Sequence, residues 1–586
     1  MSDSIPTESL SSQRSFPLRF LFLFFGLVSV AAVIYCYGSG ILNLHYDGVA
    51  RLNIARRVLD HPVPHYSHLG TVWLPLQHLL LLPFVQNDYL WSTGLAGSIV
   101  SALAFCAACY CLFELSRLLH GSEWAGVLSA AAFVVNPNIL YLQATPLGEM
   151  LYLGLFLAAL LALVKFAEET SVASAVACGG CVLLASLTRY DGWLLAPLGA
   201  VLVLTATLYE HGTIRQSALA ITVYSVIATS GIAGWLVYNQ VTLGDPLAFL
   251  RGEYATHRNI GRIVAESGLV HYAPLGDPLT AMAYYVEAVR LSAGDLLSIA
   301  GGLGFFTVLW WRSWKSPALQ SGILCFLLPP TFYIVNMVRG SGIIFVPSLP
   351  PYGILNVRYT ALFIPGLCLF LPGIVNTLVY VARRVGGLSW LSGATGAKWG
   401  VGAILAVLFL SGTLQVLHGV RGVAFVQEAY VNGFERKQTD YQAAAFFRNH
   451  YDGQRILIDL GQHGIIPQKA RIRLTNLVNE ATAWESALAK PSLFVGWIVE
   501  QEGDGVWKFP VNGQDLEGQF EKVLEVTGPF EKPLRIYRRL PREGASMLNV
   551  EVPSRRLASG RMLLPPSAVS NSPSARSDYF PFNPKQ

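Results

Sequence analysis

Apolar residues in this chain run in long unbroken blocks separated by short polar stretches. That is the pattern of helices crossing a bilayer, where lipid replaces water on every face. Spanning takes about 17 to 25 residues. Blocks of this kind lie near 16–37, 92–115, 123–142, 150–167, 172–188, 192–209, 217–238, 295–311, 321–338, 357–381 and 398–416. They predict an α-helical polytopic membrane protein with about eleven transmembrane helices. The first block lacks a small-residue cleavage site before Tyr37 and reads as a signal anchor.

Several stretches depart from this pattern. In DGVARLNIARRVL, residues 47–59, Val49, Leu52, Ile54 and Val58 recur near helical spacing, with Arg51, Arg56 and Arg57 elsewhere. This predicts an amphipathic helix lying in the interface plane. The turn HPVPHYSH follows, and then TVWLPLQHLLLLPFV, which is too short to cross and reads as a re-entrant or surface-lying helix. Loops 38–91 and 240–294 are both too long for passive links; the second opens on TLGDPLAF, with Asp245 in a turn signal. Beyond residue 417 charges of both signs become frequent and short β-type runs appear: RILIDL, SLFVGWIV and LRIYRRL, with the helical TDYQAAAFFRNHY ahead of them. Residues 417–540 therefore read as a small C-terminal α/β domain. Residues 541–586, rich in Ser, Pro and Arg without periodicity, read as a disordered tail.

Composition agrees with the membrane reading. Of 586 residues 53% are hydrophobic and 13% charged, roughly half the charged share of a soluble chain, and mean hydropathy is +0.45. A formal charge of +5 without a basic stripe gives no reason to expect a nucleic-acid partner. All eight cysteines fall in predicted spans and read as inert buried thiols, Cys106 and Cys109 included. Basic residues set the orientation. Arg14, Arg19, Arg117, Lys165, Arg215, Arg312, Lys315, Arg383, Arg384 and Lys398 mark cytoplasmic ends, with residues 1–15 a cytoplasmic N-terminus. Both long loops and residues 417–540 then lie outside the cytoplasm.

The same outer face collects Asp47 in HYDGVAR, Glu149 in ATPLGEM, Arg189 and Asp191 in LTRYDGW, and Arg358 in NVRYTAL. Charge beside a bilayer is costly unless it meets water, a partner or a substrate. Carboxylates and arginines together suit sugar transfer from a lipid-borne phosphate. One acid takes the proton of a poor hydroxyl nucleophile, and arginines or a metal ion stabilise the departing phosphate. Asp47 is the candidate base and Glu149 the second acid. Arg189 and Arg358 are candidate phosphate ligands, and Tyr46, Asp191, Tyr359 and Asp245 are candidate substrate contacts. Each charged residue also has a purely structural use: Asp47 as a helix cap, Arg189 and Asp191 as a local ion pair, Arg358 as a snorkelling cation. His61, His65 and His68 have a zinc-like spacing without an evident fourth ligand, so no metal site is assigned.

HYDGVAR, GTVWLPL, NPNILYLQATPLGEM, LTRYDGW, GDPLAF and NVRY, followed by a soluble outer domain, occur here in an order that resembles the GT-C superfamily of polytopic glycosyltransferases. The likeness is to the branch holding protein O-mannosyltransferases and the lipid A aminoarabinose transferase, and it covers about residues 16–540. It implies an inverting transferase of the bacterial inner membrane, with a polyprenyl-phosphate sugar donor and a protein, lipid or glycan acceptor on the periplasmic side. It makes Asp47 the base, Glu149 the second acidic residue and Arg358 a phosphate ligand. The family's first loop often carries two adjacent acidic residues, whereas here Gly48 follows Asp47. That leaves a divalent cation as an option and not a requirement. The rival class is a transporter or flippase for an anionic lipid, which would show inverted repeats and charges at mid-membrane; neither is visible in the sequence.

Overall fold

The computed structural model describes residues 18–541 apart from 62–65, 71, 170, 212–217, 253–260, 262, 265–268, 270, 385–393, 480, 481, 483 and 509–517. The expected cytoplasmic N-terminus and the expected disordered tail after Pro541 lie outside the described residues, as does His65.

Six helices are long and apolar enough to cross a membrane: Arg19–Gly38, Leu95–His120, Gly148–Glu169, Ala218–Leu243, Pro317–Val338 and Gly400–Leu417. They coincide with six of the eleven expected spans, and they make the chain an integral, multi-pass membrane protein. The other five expected spans differ in form. Residues 123–142 form two helices, Glu123–Val134 and Pro137–Ala144, bent by 68°. The break lies at Asn136, whose side chain caps the second helix through the Asn138 and Ile139 N–H groups, with Pro137 at the first helical position, where it suits a start and not a continuation. The span expected at 295–311 is the second arm of another bent pair, Pro278–Ala293 and Asp295–Trp311, turned by 114° at Gly294, whose φ is 81°. The first arm falls in what the sequence reads as loop. The remaining three expectations correspond to shorter apolar helices, Val172–Ser186, Tyr190–Thr205 and Ile364–Leu378. By length and composition the described residues thus hold six such spans, or eight with each bent pair taken as one. Short and broken helices survive at membrane depth where neighbouring protein satisfies their freed backbone groups. Asn136 and Asn138 do so here, both donating to the Ser292 carbonyl at 2.9 Å.

Small residues bring the helices together. Gly301 and Gly304 place the helix Asp295–Trp311 against the backbone of Leu367 and Phe370 in Ile364–Arg384, where any side chain would collide. The amphipathic segment is a helix, Tyr46–Asp60, and the apolar stretch behind it a shorter one, Leu76–Val85.

Beyond the last long helix a five-stranded sheet has the order β2-β1-β3-β5-β4. Its strands are β1 Ile456–Leu457, β2 Leu477–Val478, β3 Trp497–Gln501, β4 Phe520–Gly528 and β5 Glu531–Arg539. β1 runs parallel to β2 and β3, while β5 pairs antiparallel with β3 and β4. The expected helix is Gln438–His450; β2 and β4 had no counterpart in the sequence reading.

This sheet domain is bolted to the helix Tyr46–Asp60 and the residues just before it. Asn53 Nδ2 donates to the Gly464 carbonyl at 2.9 Å, Asn43 Nδ2 to Gln468 Oε1 at 3.0 Å, and Tyr46 Oη to the Gly461 carbonyl at 2.6 Å. Asp60 Oδ2 accepts from the Leu474 N–H at 3.1 Å. The helix that begins at the candidate base is therefore held from above by the sheet domain and from below by the bundle.

Candidate active site

His45 precedes the helix Tyr46–Asp60 in extended conformation, and its Nδ1 accepts from the Asp47 N–H at 3.3 Å. Asp47 thus sits in the first turn, where the helix dipole favours an acidic group. Glu149 occupies the first turn of Gly148–Glu169. The turn before it is pressed close, for a Cβ at Gly48 or Gly97 would run into Pro146. Arg358 enters on a 3-10 turn, Val357–Leu362, after Asn356, whose φ of 56° is a left-handed value that Asn tolerates.

Arg358 is the hub. Its Nη2 donates to Asp47 Oδ2 at 2.5 Å and its Nε to Glu149 Oε1 at 3.0 Å. Its Nη1 meets Glu428 Oε1 and lies 2.5 Å from His45 Nε2. The Arg358 backbone N–H also reaches Glu428 Oε2 at 3.1 Å. Arg189 continues the network: Nη1 to Glu149 Oε1 at 3.3 Å, Nε to Asp191 Oδ1 at 3.3 Å and Nη2 to the Tyr333 hydroxyl at 2.7 Å. Tyr359 lies beneath both guanidinium groups, 5.1 Å from Arg358 and 5.2 Å from Arg189, and stacks on Tyr333, a cation–π arrangement.

Asp47, Glu149, Arg189, Asp191, Arg358 and Tyr359 therefore meet in one cluster. Asp245 does not join it; its carboxylate accepts from the Leu247 N–H and pairs with Arg251 at 3.6 Å. Tyr46 points to the sheet domain, with Lys437 over its ring. His61 lies against His68 in a tilted ring contact, with centroids 3.8 Å apart. All three nitrogens of Arg358 and all three of Arg189 have protein partners, so a phosphate reaching either would have to displace one.

Four contributors escaped the sequence reading. Glu428, from FVQEAY beyond the last span, is completely buried. Burial opposes its charge, yet Arg358 and His45 hold its carboxyl below the ordinary range. Its signal was available, as an acid next to an apolar run on the same face as Asp47. His45 and Tyr333 carried no such signal. Arg51 looked like one of the polar-face arginines of an amphipathic helix, but it is 6% exposed. Burial pushes its guanidinium below the ordinary value, against the nearby carboxylates of Glu149 and Asp47.

Among the described residues no three His, Cys, Asp or Glu side chains converge on a metal position. Asp47, Glu149 and Glu428 each turn onto Arg358. The carboxylates are thus arranged around a guanidinium and do not fit a divalent cation.

No family model and no curated protein sequence matches the chain. Among solved structures it resembles ArnT from Cupriavidus metallidurans bound to undecaprenyl phosphate, at 14% identity and a TM-score of 0.51, covering 87% of this chain and 97% of that one. The apo state of the same ArnT aligns at 14% identity and 0.49. Archaeal oligosaccharyltransferase AglB from Archaeoglobus fulgidus, in complex with an inhibitory peptide and a dolichol-phosphate, aligns at 12% identity and 0.43 over 83% of this chain and 70% of that one. The first likeness shows the GT-C fold that the motif order led us to expect.

Proposed function

We propose that this protein is a membrane glycosyltransferase that moves a sugar from a polyprenyl-phosphate donor to an acceptor hydroxyl on the periplasmic face of a bacterial inner membrane. The acceptor is a protein, lipid or glycan. The observation that carries the reading is the contrast among the three acids around Arg358. The Asp47 side chain is 34% exposed, against 3% for Glu149 and 0% for Glu428. Of the three, Asp47 is the one an acceptor can reach. The fold shared with ArnT, whose structure holds undecaprenyl phosphate, supports the donor class.

In this mechanism the acceptor oxygen attacks the anomeric carbon from the face opposite the phosphate. Asp47 takes the acceptor proton as that bond forms, and the breaking C–O bond leaves its electron pair on the phosphate oxygen, with inversion at carbon. Arg358 fixes the Asp47 carboxylate by one oxygen. Glu149 and Glu428 hold Arg358 from its other edges, so the base is preorganised before substrate arrives. Arg189, Asp191 and Tyr333 brace Glu149 in turn.

The test is Asp47→Asn in purified protein given polyprenyl-phosphate sugars and candidate acceptors. Release of free polyprenyl phosphate should fall at least about a hundredfold, the lower range of general-base contributions, with the protein still folded and membrane-inserted. Near wild-type turnover would refute the assignment of Asp47. Transport of the lipid without any release, in the wild-type protein, would sink the transferase reading as a whole.

A further inference from the structure

The first span, Arg19–Gly38, turns an apolar row outward, Leu23, Leu27, Val30 and Ile34, and ends on two exposed tyrosines, Tyr35 and Tyr37. Apolar side chains giving way to tyrosine at a helix end mark the level where hydrocarbon meets head groups. The Tyr37 and Tyr89 hydroxyls lie 2.5 Å apart, so Tyr89, in the first turn of the helix Asp88–Thr93, stands at that same level and is exposed as well.

The sheet domain brings arginines to this level. Its short helix Ile465–Ala470 is pinned there by Gln468, whose Nε2 donates to the Trp91 carbonyl at 3.1 Å and whose Oε1 accepts from Asn43 at 3.0 Å. Arg471 follows, exposed, with its guanidinium over the Tyr89 ring at 5.7 Å from the centroid. Arg473 is 65% exposed, and its carboxylate partner, Asp88, is 3.9 Å away. That carboxylate is already held by Arg56 at 2.6 Å, which also takes Asp60 at 2.8 Å. Two carboxylates thus face three arginines, and the positive charge left over lies at head-group depth.

The backbone of Arg471 carries a second sign. It closes the helix Ile465–Ala470 at φ 58° and ψ 37°, with its N–H on the Pro467 and Gln468 carbonyls. Glycine is the residue suited to this left-handed position at a helix end. An arginine standing there gives up backbone comfort for a side chain, and Tyr89 occupies one face of that guanidinium without meeting its N–H donors.

We propose that the sheet domain rests on the bilayer at this point. Arg471 and Arg473 grip the phosphate of an anionic phospholipid in the leaflet that faces the domain, beside Tyr37 and Tyr89. A guanidinium matches phosphate oxygens two at a time, and the surplus positive charge selects a head group of net negative charge over a zwitterionic one. This seat fixes the height of the sheet domain above the membrane and is independent of any donor or acceptor.

The experiment takes the full chain from phosphatidylcholine vesicles carrying a minor share of phosphatidylglycerol and reads retained lipid by native mass spectrometry. Wild type should keep phosphatidylglycerol in preference to phosphatidylcholine. Arg471→Gly should weaken that retention about fivefold, equivalent to about 1 kcal/mol, while melting at or above the wild-type temperature, because glycine suits the left-handed backbone. Arg473→Gln, which leaves the backbone as it is, should weaken retention by a similar factor at the wild-type melting temperature, and the two changes together by more than about tenfold. Lys532→Gln removes a charge already paired with Glu502 and should alter retention by less than about twofold. Equal retention of the two lipids by wild type, undiminished phosphatidylglycerol in either arginine variant, or a loss in Lys532→Gln as large as in Arg471→Gly overturns the proposal. Excess polyprenyl phosphate displacing the lipid held through Arg471 overturns it too, by making this a seat for a carrier lipid and not for the bilayer.

Discussion

Replacing Arg358 by Met should do more than abolish transfer; it should unload the centre of the fold. Arg358 is 3% exposed and neutralises Glu428, completely buried, together with Glu149 and Asp47. Asp47 can turn to water, and Glu149 keeps Arg189 at 3.3 Å. Glu428 is left with His45 and the backbone N–H of residue 358. Removing one partner of a buried pair costs about 3–5 kcal/mol, because the charge left behind has lost its hydration without compensation. Removing both restores neutrality, so Arg358→Met with Glu428→Met should be more stable than Arg358→Met by roughly 2–3 kcal/mol. The assay is equilibrium unfolding in mixed micelles, with Arg117→Met as the control. Arg117 pairs with Glu114 while 40% exposed, and its loss should cost at most about 1 kcal/mol. Arg358→Met behaving like that control, or a double variant no more stable than the single, would refute the account of Arg358 as a buried counter-ion.

Further outcomes follow from other parts of the molecule. His463 lies completely buried between Asp440 Oδ1 at 2.7 Å and Asp504 Oδ2 at 3.3 Å; burial works against its charge, but the two aspartates outweigh it and raise it to about 9. A histidine raised above its ordinary value stabilises the fold fully below about pH 6.5, and that contribution fades as pH climbs through about 9. The sheet domain should therefore lose roughly 3 kcal/mol between pH 6.5 and 9.5, seen as a falling melting temperature that His463→Gln flattens; an equally steep slope in that variant would count against it. Gly433→Ala should act at a distance on the site, since its Cβ would strike the Leu44 carbonyl just ahead of His45. Overpacking of this kind costs about 1–3 kcal/mol, so melting temperature and transfer rate should fall together, and a variant with wild-type values of both would argue that the contact relaxes freely.

The helical, membrane-spanning character of this chain was legible in its sequence, because lipid imposes one requirement on every crossing segment and long apolar runs meet it by themselves. The same holds for the helix at 47–59 and the break in character at 417, where polarity alone changes. The acids and arginines that cluster around Arg358 were legible for a related reason. Charge next to a bilayer is rare enough that Asp47, Glu149, Arg189 and Arg358 stand out one by one. What folding decided was who neutralises whom. Nothing along the chain says that Arg358 gathers three carboxylates from segments 311, 209 and 70 residues away, or that Arg51 is buried with its Nε and Nη1 unpartnered. Nor could run length reveal that expected spans are bent at Asn136 and Gly294, since a break is tolerated only where other helices supply the missing hydrogen bonds. Local chemistry names the charged groups, and three-dimensional packing alone settles their pairing, because a guanidinium in a dry interior is shared among whichever carboxylates the fold delivers to it.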